Sequence, residues 1–157
     1  MRKLDKIDYK VLDILQKNSQ ITNQELAHQM ALSPSSCLQR VRRLEKDGFI
    51  NGYHAHVDLN VICRFVTCIL NVNLKNHSHE ELLAFKAMAE LIPEVVEYYT
   101  VSGECDFILK VIARDMSAYH RINDRLISCS EYSATINTYV VMNENKSFTH
   151  IDLDTLV

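Results

Sequence analysis

Tryptophan is absent, and 157 residues hold only three glycines, two prolines and five cysteines. With glycine so scarce, a phosphate-cradling glycine-rich loop is excluded. The cysteines (Cys37, Cys63, Cys68, Cys105, Cys129) are odd in number, widely spread and contain no C-x-x-C pair. A disulfide framework or a zinc site needs tighter, paired spacing, so they read as free thiols in a reducing compartment. No apolar run approaches the ~20 residues of a membrane span. Nor does an apolar stretch follow Met1-Arg-Lys-Leu-Asp-Lys, as a signal peptide requires. The expectation is a cytoplasmic chain with no membrane partner. No Ser-His-Asp constellation is evident. His54-Ala-His56 and His77-Ser-His79 would pair imidazoles on one face of a strand, but no further ligand follows at a diagnostic spacing. No metal and no cofactor is expected.

Charge is present but unevenly placed. Residues 1–53 carry nine Lys/Arg against six Asp/Glu, and residues 54–157 carry eight against fourteen. A basic first third and an acidic remainder suggest that one end meets a polyanion and the other does not.

The apolar spacing over residues 5–46 is helical. Ile7, Val11, Leu12 and Leu15 make one buried stripe behind an Asp5 cap. Thr22-Asn-Gln-Glu25 has the form of a capping box and opens a second helix through Met30, with Leu26, Ala27 and Met30 inward. Ser33 and Pro34 cap and start a third helix, which runs to about Asp47, where Gly48 supplies the left-handed residue that ends it. Three short helices with a three-to-four-residue link between the second and third describe a helix-turn-helix. Phe49–His56 reads as a short wing or a strand leading out.

Beyond this the period becomes two. Val66, Cys68, Leu70, Val72 and Leu74 share one side of a strand over 65–74. Ser78-His-Glu-Glu81 is a second capping box, starting a helix with Leu82, Phe85, Ala89 and Ile92 inward, and Pro93 stops it. Strands over 95–102 and 107–114 flank the hairpin Gly103-Glu-Cys-Asp106. A helix from Asp115 buries Tyr119, Ile122, Leu126 and Ile127, and a last strand spans 135–143. The order β-α-β-β-α-β is the ferredoxin-like split arrangement. Two helices cover one face of that sheet. The other carries Ile108, Ile112, Tyr139 and Val141, an apolar surface that either packs on another subunit or is covered by residues 144–157.

The fold class is therefore α+β. A (winged) helix-turn-helix DNA-binding domain occupies 1–53, a linker strand 54–64, a βαββαβ assembly domain 65–146, to which the resemblance given below adds effector binding, and a tail 147–157.

On the third helix Leu38, Val41 and Leu44 step by three and face inward. That leaves Ser35, Ser36, Gln39, Arg40, Arg42, Arg43 and Lys46 outside. Serine and glutamine near the N-terminal end can meet base edges, and a guanidinium fork can grip guanine or phosphate. The helix N-terminus near Ser33, Ser35 and Ser36 also favours a phosphate. The plainer alternative is a charged, solvated helix face. Double-stranded DNA is the expected partner, with Ser33, Ser35, Ser36, Gln39, Arg40, Arg42 and Arg43 as contacts.

Leu32-Ser-Pro-Ser-Ser-Cys-Leu-Gln-Arg-Val-Arg-Arg-Leu-Glu-Lys-Asp-Gly-Phe-Ile-Asn-Gly-Tyr53 resembles the helix-turn-helix signature of the Lrp/AsnC family of feast/famine regulators. Leu4-Asp-Lys-Ile-Asp8 resembles the start of their first helix. Val101-Ser-Gly-Glu-Cys-Asp-Phe-Ile-Leu109 is similar to their V-[ST]-G-x-x-D-[YF]-x-L hairpin. Asp115–Tyr119 and Thr138–Met142 are closer still to the leucine-responsive branch. The resemblance spans about 4–146 in one register and stops at the acidic tail.

The resemblance implies a transcription regulator that is a homo-oligomer, a dimer or a tetramer or octamer of dimers. It implies an amino-acid effector bound between dimers beside the hairpin, with Ser102, Gly103, Asp106, Met116, Thr138, Tyr139 and Val140 as candidates. On that reading Asp106 takes the ammonium. Gly103 lets backbone N–H groups reach the carboxylate, while Met116 and Val140 face the side chain. A tight hairpin alone also explains Gly103 and Asp106. Cys105 stands where the family has an aromatic residue, which leaves the effector open.

Two rivals remain at this level. One is an enzyme, because tetrapyrrole decarboxylases resemble the same two-domain fold. Such a site needs basic and imidazole groups, and the second domain, net acidic, offers mainly His120, Arg114 and Arg121. The other is an oligomeric sensor or scaffold with a vestigial DNA domain, which would lack salt-dependent DNA binding.

Overall fold

The computed structural model describes residues 3–76, 78–128 and 134–156; His77 and Cys129, from the histidine pair and the thiol set above, lie outside the described residues. Two compact units result. One comprises residues up to His56 together with those from Lys146 onward, and the other is Val57–Asn145.

The first unit contains α1 (Lys6–Lys17), α2 (Asn23–Gln29) and α3 (Pro34–Lys46). Each start is set by a side chain that takes N–H groups the helix itself cannot pair. Asp5 accepts from Ile7 and Asp8, Thr22 from Glu25, and Ser33 from Ser36. Both α2 and α3 end in the same left-handed cap. After α3, Gly48 (φ 78°) donates to Glu45 O and Phe49 donates to Leu44 O. After α2, Ala31 (φ 52°) donates to His28 O and Leu32 to Ala27 O. Glycine is the ordinary occupant there, so Ala31 holds a strained conformation that the sequence did not signal.

Val11, Leu26, Ala27, Cys37 and Leu44 form the buried centre, with Ile7, Leu12, Leu15, Met30, Val41 and Phe49 around them. One expectation is corrected. On α3 the inward stripe is Cys37, Val41 and Leu44, while Leu38 is 38% exposed. A four-then-three step matches the 3.6 period better than two steps of three, which drift off the core. The linker is corrected as well. Residues 51–58 carry neither helix nor strand, and Leu59–Ile62 makes one helical turn (α4) capped by Asp58. His54 and His56 thus share no strand.

In the second unit, β1 (Val66–Leu74), α5 (His79–Glu90), β2 (Val95–Thr100), β3 (Phe107–Ala113), α6 (Met116–Ser128) and β4 (Ala134–Val140) follow in the expected order. The sheet runs β2-β3-β1-β4, antiparallel throughout. Alternation decides its faces. Cys68, Leu70, Val72 and Leu74 meet Phe107, Leu109 and Val111 beneath Phe85, Ala89, Ile92, Tyr119, Ile122 and Leu126. Phe85 stacks on Phe107 at 4.8 Å between ring centroids. Ile127, expected inward, is exposed. Glu81 receives Asn76 N–H and Nδ2, tying the β1–α5 loop to the helix start.

By register, the opposite face carries Ile69 beside Lys110 and Tyr139, Ile108 beside Tyr99, and Thr67 beside Ile112. Val141, just past β4, donates to Thr67 O at 2.9 Å. Residues from Lys146 onward belong to the helical unit. They end in a 3-10 turn, Leu153–Thr155, capped by Asp152.

Candidate functional site

The outward face of α3 is a stripe of Ser35, Gln39, Arg42 and Lys46, all exposed, at the four-then-three spacing that aligns side chains along a helix. Leu38 borders it on one side. Ser36 and Arg43 border it on the other. At the N-terminal end, Ser33 Oγ accepts from Ser36 N and lies 3.2 Å from Ser35 Oγ. Asn23 Nδ2 donates to Pro34 O at 2.8 Å, fastening the start of α2 to the start of α3.

Arg40 does not lie on that stripe. Its Nη1 donates to Asp8 Oδ1 at 2.6 Å and to Asp5 Oδ2 at 2.7 Å, and Arg43 Nη2 reaches the same Asp8 oxygen at 3.0 Å. Asp8 is 1% exposed and Arg40 17%. A buried carboxylate is tolerable only when paired and hydrogen-bonded, and these two guanidinium groups are the pairing. Asp8 Oδ2 also accepts from Asp5 N, closing the cap of α1. The Asp8 amide, then Arg40, hold the Asp5 carboxyl below its ordinary value. The carboxylates of Asp8 and Asp5 in turn raise Arg40. Arg40, expected outside, is therefore a brace between α3 and α1, and Arg43 is partly one.

Sequence reasoning missed Asp8 as a partner. The signal was available, because Asp8 sits on the inward arc of α1 with Val11, Leu12 and Leu15, where an acid demands a cation.

In the second unit the effector candidates fall into two groups. At the β2–β3 hairpin, Ser102 and Gly103 are exposed and Asp106 is half-buried. Asp106 Oδ2 accepts from Leu74 N at 2.7 Å, and its own N–H donates to Val72 O. Gly103 has φ 139°, and a Cβ there would meet nothing within 4 Å. That backbone angle favours glycine, as the tight-hairpin reading expects, and the protein itself does not crowd the position.

The second group lies where α6 starts. Met116 and Val140 are exposed, and Thr138 Oγ1 pairs with the buried Tyr119 hydroxyl. Burial raises the Tyr119 phenol. Tyr139 points to the opposite sheet face, beside Ile69. Along β1, Asp106 is fixed at Leu74 while Val140 pairs with Cys68. Six residues of strand separate these two, about 20 Å at ~3.3 Å per residue, and Thr138, which pairs with Leu70, stands about 13 Å along the strand from Leu74. One chain does not gather all seven residues into one pocket.

Cys37, Cys63, Cys68 and Cys105 are free, and burial raises the thiols of Cys37 and Cys68, which keeps them unreactive. Among the described residues no three His, Cys, Asp or Glu side chains group to hold a metal, and no helix is long and apolar enough to cross a membrane.

Comparison with known proteins adds independent findings. Residues 4–51 match a family model described as winged helix-turn-helix DNA-binding, and residues 67–151 match one described as the Lrp/AsnC ligand binding domain. The leucine-responsive regulatory protein of Salmonella typhimurium is 36% identical over 153 residues, 97% of this chain and 93% of its own. That of Escherichia coli K12 is 35% identical over the same shares. Among solved structures, a transcriptional regulator of Neisseria meningitidis in complex with L-methionine superposes with a TM-score of 0.90 at 31% identity, covering 99% of this chain and all of that one. An AsnC family regulator of Agrobacterium tumefaciens gives 0.89 at 32% identity, covering 98% of this chain and all of that one.

Proposed function

The chain belongs to the Lrp/AsnC family of transcriptional regulators, with a helix-turn-helix for DNA and a ligand-binding domain, and from that premise we propose which residues carry each task. The relatives it matches are regulators, so the decarboxylase and the vestigial-domain readings are set aside.

DNA is read by the outward stripe of α3. Gln39 and Arg42 meet base edges in the major groove, Ser35 and Leu38 flank them, and Ser33, Ser36 and Lys46 approach phosphates. The observation that carries this is the asymmetry of the helix. Its rear is locked by Cys37, Leu44 and the Asp8–Arg40 pair, and its front carries donors. Titration of labelled promoter DNA at several salt concentrations tests it. Arg42→Ala lowers affinity and relaxes specificity at the base it meets, whereas Lys46→Ala weakens binding to all sequences alike and flattens the slope of log K against log salt by about one, as a lost phosphate contact does. An unchanged slope and affinity would move the interface elsewhere.

The effector is an amino acid. The relatives' names and the L-methionine complex support that class. The two separated groups support a site shared by subunits, the hairpin of one meeting Met116, Thr138 and Val140 of another. The Ile69, Ile108, Ile112 and Tyr139 face supplies a surface for pairing two copies, so the protein works as a dimer or as a ring of dimers, in the cytoplasm. A thermal-shift screen over the twenty amino acids, L-leucine and L-methionine included, tests the effector by mass action. No shift with any of them would remove the sensor while leaving the DNA reader intact.

A further inference from the structure

The chain passes between its two units twice, once near residue 56 and again near residue 145. The second passage begins just after β4, the strand that carries Thr138 and Val140, and ends on α1. There the Gln16 side-chain amide forms a reciprocal pair with one main-chain residue: Nε2 donates to Ile151 O at 3.3 Å, and Ile151 N donates to Oε1 at 3.0 Å. Leu153 lines, with Leu12, Leu15, Phe49 and Ile50, a cavity of about 290 Å³. Asp152 and Asp154 line a groove with Lys6 and Lys10, and with Lys17, which pairs with Asp13 there at 2.8 Å. Main-chain pairing, an apolar side chain at the core margin and opposite charges together make a specific seat for residues 150–155. The resemblance that covers the rest of the chain gave no reason to expect it.

We propose that residues 150–155 are a strap through which the state of β4 reaches the DNA-binding unit. A helix-turn-helix joined by one segment alone, residues 51–65 with the single turn of α4, reorients without regard to what the other unit binds. One held at a second point must answer to both connections, and a docked segment at the end of a roughly nine-residue link stays seated through a high effective concentration. A ligand that shifts β4 then shifts the DNA-binding unit only by as much as the strap transmits. The proposal rests on the effector reading above.

The test uses the full chain carrying Gln16→Ala and Leu153→Ser, which unseat the strap without touching α3 or β4. L-leucine and L-methionine are the probes. Thermal shift reports their binding, and DNA affinity is measured with and without them. In the unaltered protein one of these amino acids raises the melting temperature and changes DNA affinity several-fold. In the double variant the amino acid still produces its thermal shift, but DNA affinity changes less than twofold. The conservative Leu153→Ile restores the response in a Gln16 background. A double variant whose DNA affinity responds as fully as the unaltered protein rejects the strap alone. One that loses the thermal shift places residues 150–155 in the effector site and also overturns the strap. If the unaltered protein shows neither shift nor response, the effector reading fails and the strap falls with it.

Discussion

Asp8 shows how one residue fixes which way a helix faces. It is nearly fully buried, it receives two guanidinium groups and a backbone N–H, and both arginines come from α3. Removing one member of a buried pair leaves the other charge without compensation, at a cost of about 3–5 kcal/mol. Asp8→Ala is therefore expected to lower the midpoint of urea unfolding sharply. Arg40→Ala is expected to lower it less, because Arg43 and the Asp5 N–H still hold the Asp8 carboxylate, with no change in the salt slope of DNA binding beyond what lost folding explains. A full-strength fold in either variant would contradict the brace. Asp5 adds a pH dependence of definite sign. Its folded pKa lies below its ordinary 3.8, so its contribution is complete above that value and is lost as pH falls through the folded pKa. Stability measured from pH 5 downward should drop, and Asp5→Asn should drop less steeply. Ala31 offers the opposite change. It holds φ 52° at a cap where glycine is at ease, and Ala31→Gly is expected to stabilise by up to about 1 kcal/mol, the relieved strain outweighing the greater freedom of glycine when unfolded.

At the scale of elements, capping residues were the most readable feature. Asp5, Thr22, Ser33 and Ser78 each stand where the sequence put them, because an N-cap depends on one side chain and the three residues after it. Alternation was equally readable in β1 and β3, whose odd and even positions meet different surroundings. Which way α3 faces was read less well. Leu38 and Cys37 are adjacent and both apolar, and only the packing against α1 and α2 chooses Cys37 for the core. Leu38 consequently lies beside the stripe proposed to read DNA, where an aliphatic side chain suits a thymine methyl group. Leu38→Ala should leave thermal stability nearly unchanged while weakening binding at sites that present thymine to it. Equal loss on all DNA sequences would argue against that contact. Gly103→Ala tests the hairpin. Nothing blocks a Cβ there, so any destabilisation reports the backbone angle alone.

At the scale of the whole molecule, the residues that the resemblance names for an effector are spread along β1. Asp106 is held against Leu74 at one end of β1, Thr138 pairs with Leu70 at its middle and Val140 with Cys68 beyond it. Similarity to the family pattern named the residues, but no periodicity along one chain says that residues spread about 13 to 20 Å along a strand (~3.3 Å per residue) must be joined by another copy. If they are, amino-acid binding and self-association are linked. Dilution that dissociates the oligomer should weaken the thermal shift, and Tyr139→Asp, on the exposed sheet face, should reduce both together. A thermal shift that persists in the monomer would confine the effector to one subunit.

Local chemistry was enough to specify the helix starts and stops, the strand faces, the βαββαβ order and a basic third helix, because each depends on residues within a few positions of one another. Three features needed the folded chain: the withdrawal of Arg40 from the surface, the choice of Cys37 over Leu38, and the seating of residues 150–155 on α1. Each joins residues that composition and period treat as independent. Arg40 and Asp8 are 32 positions apart and Ile151 and Gln16 are 135 apart, and the free energy of burying a charge or an apolar side chain has a sign only once the neighbour is known.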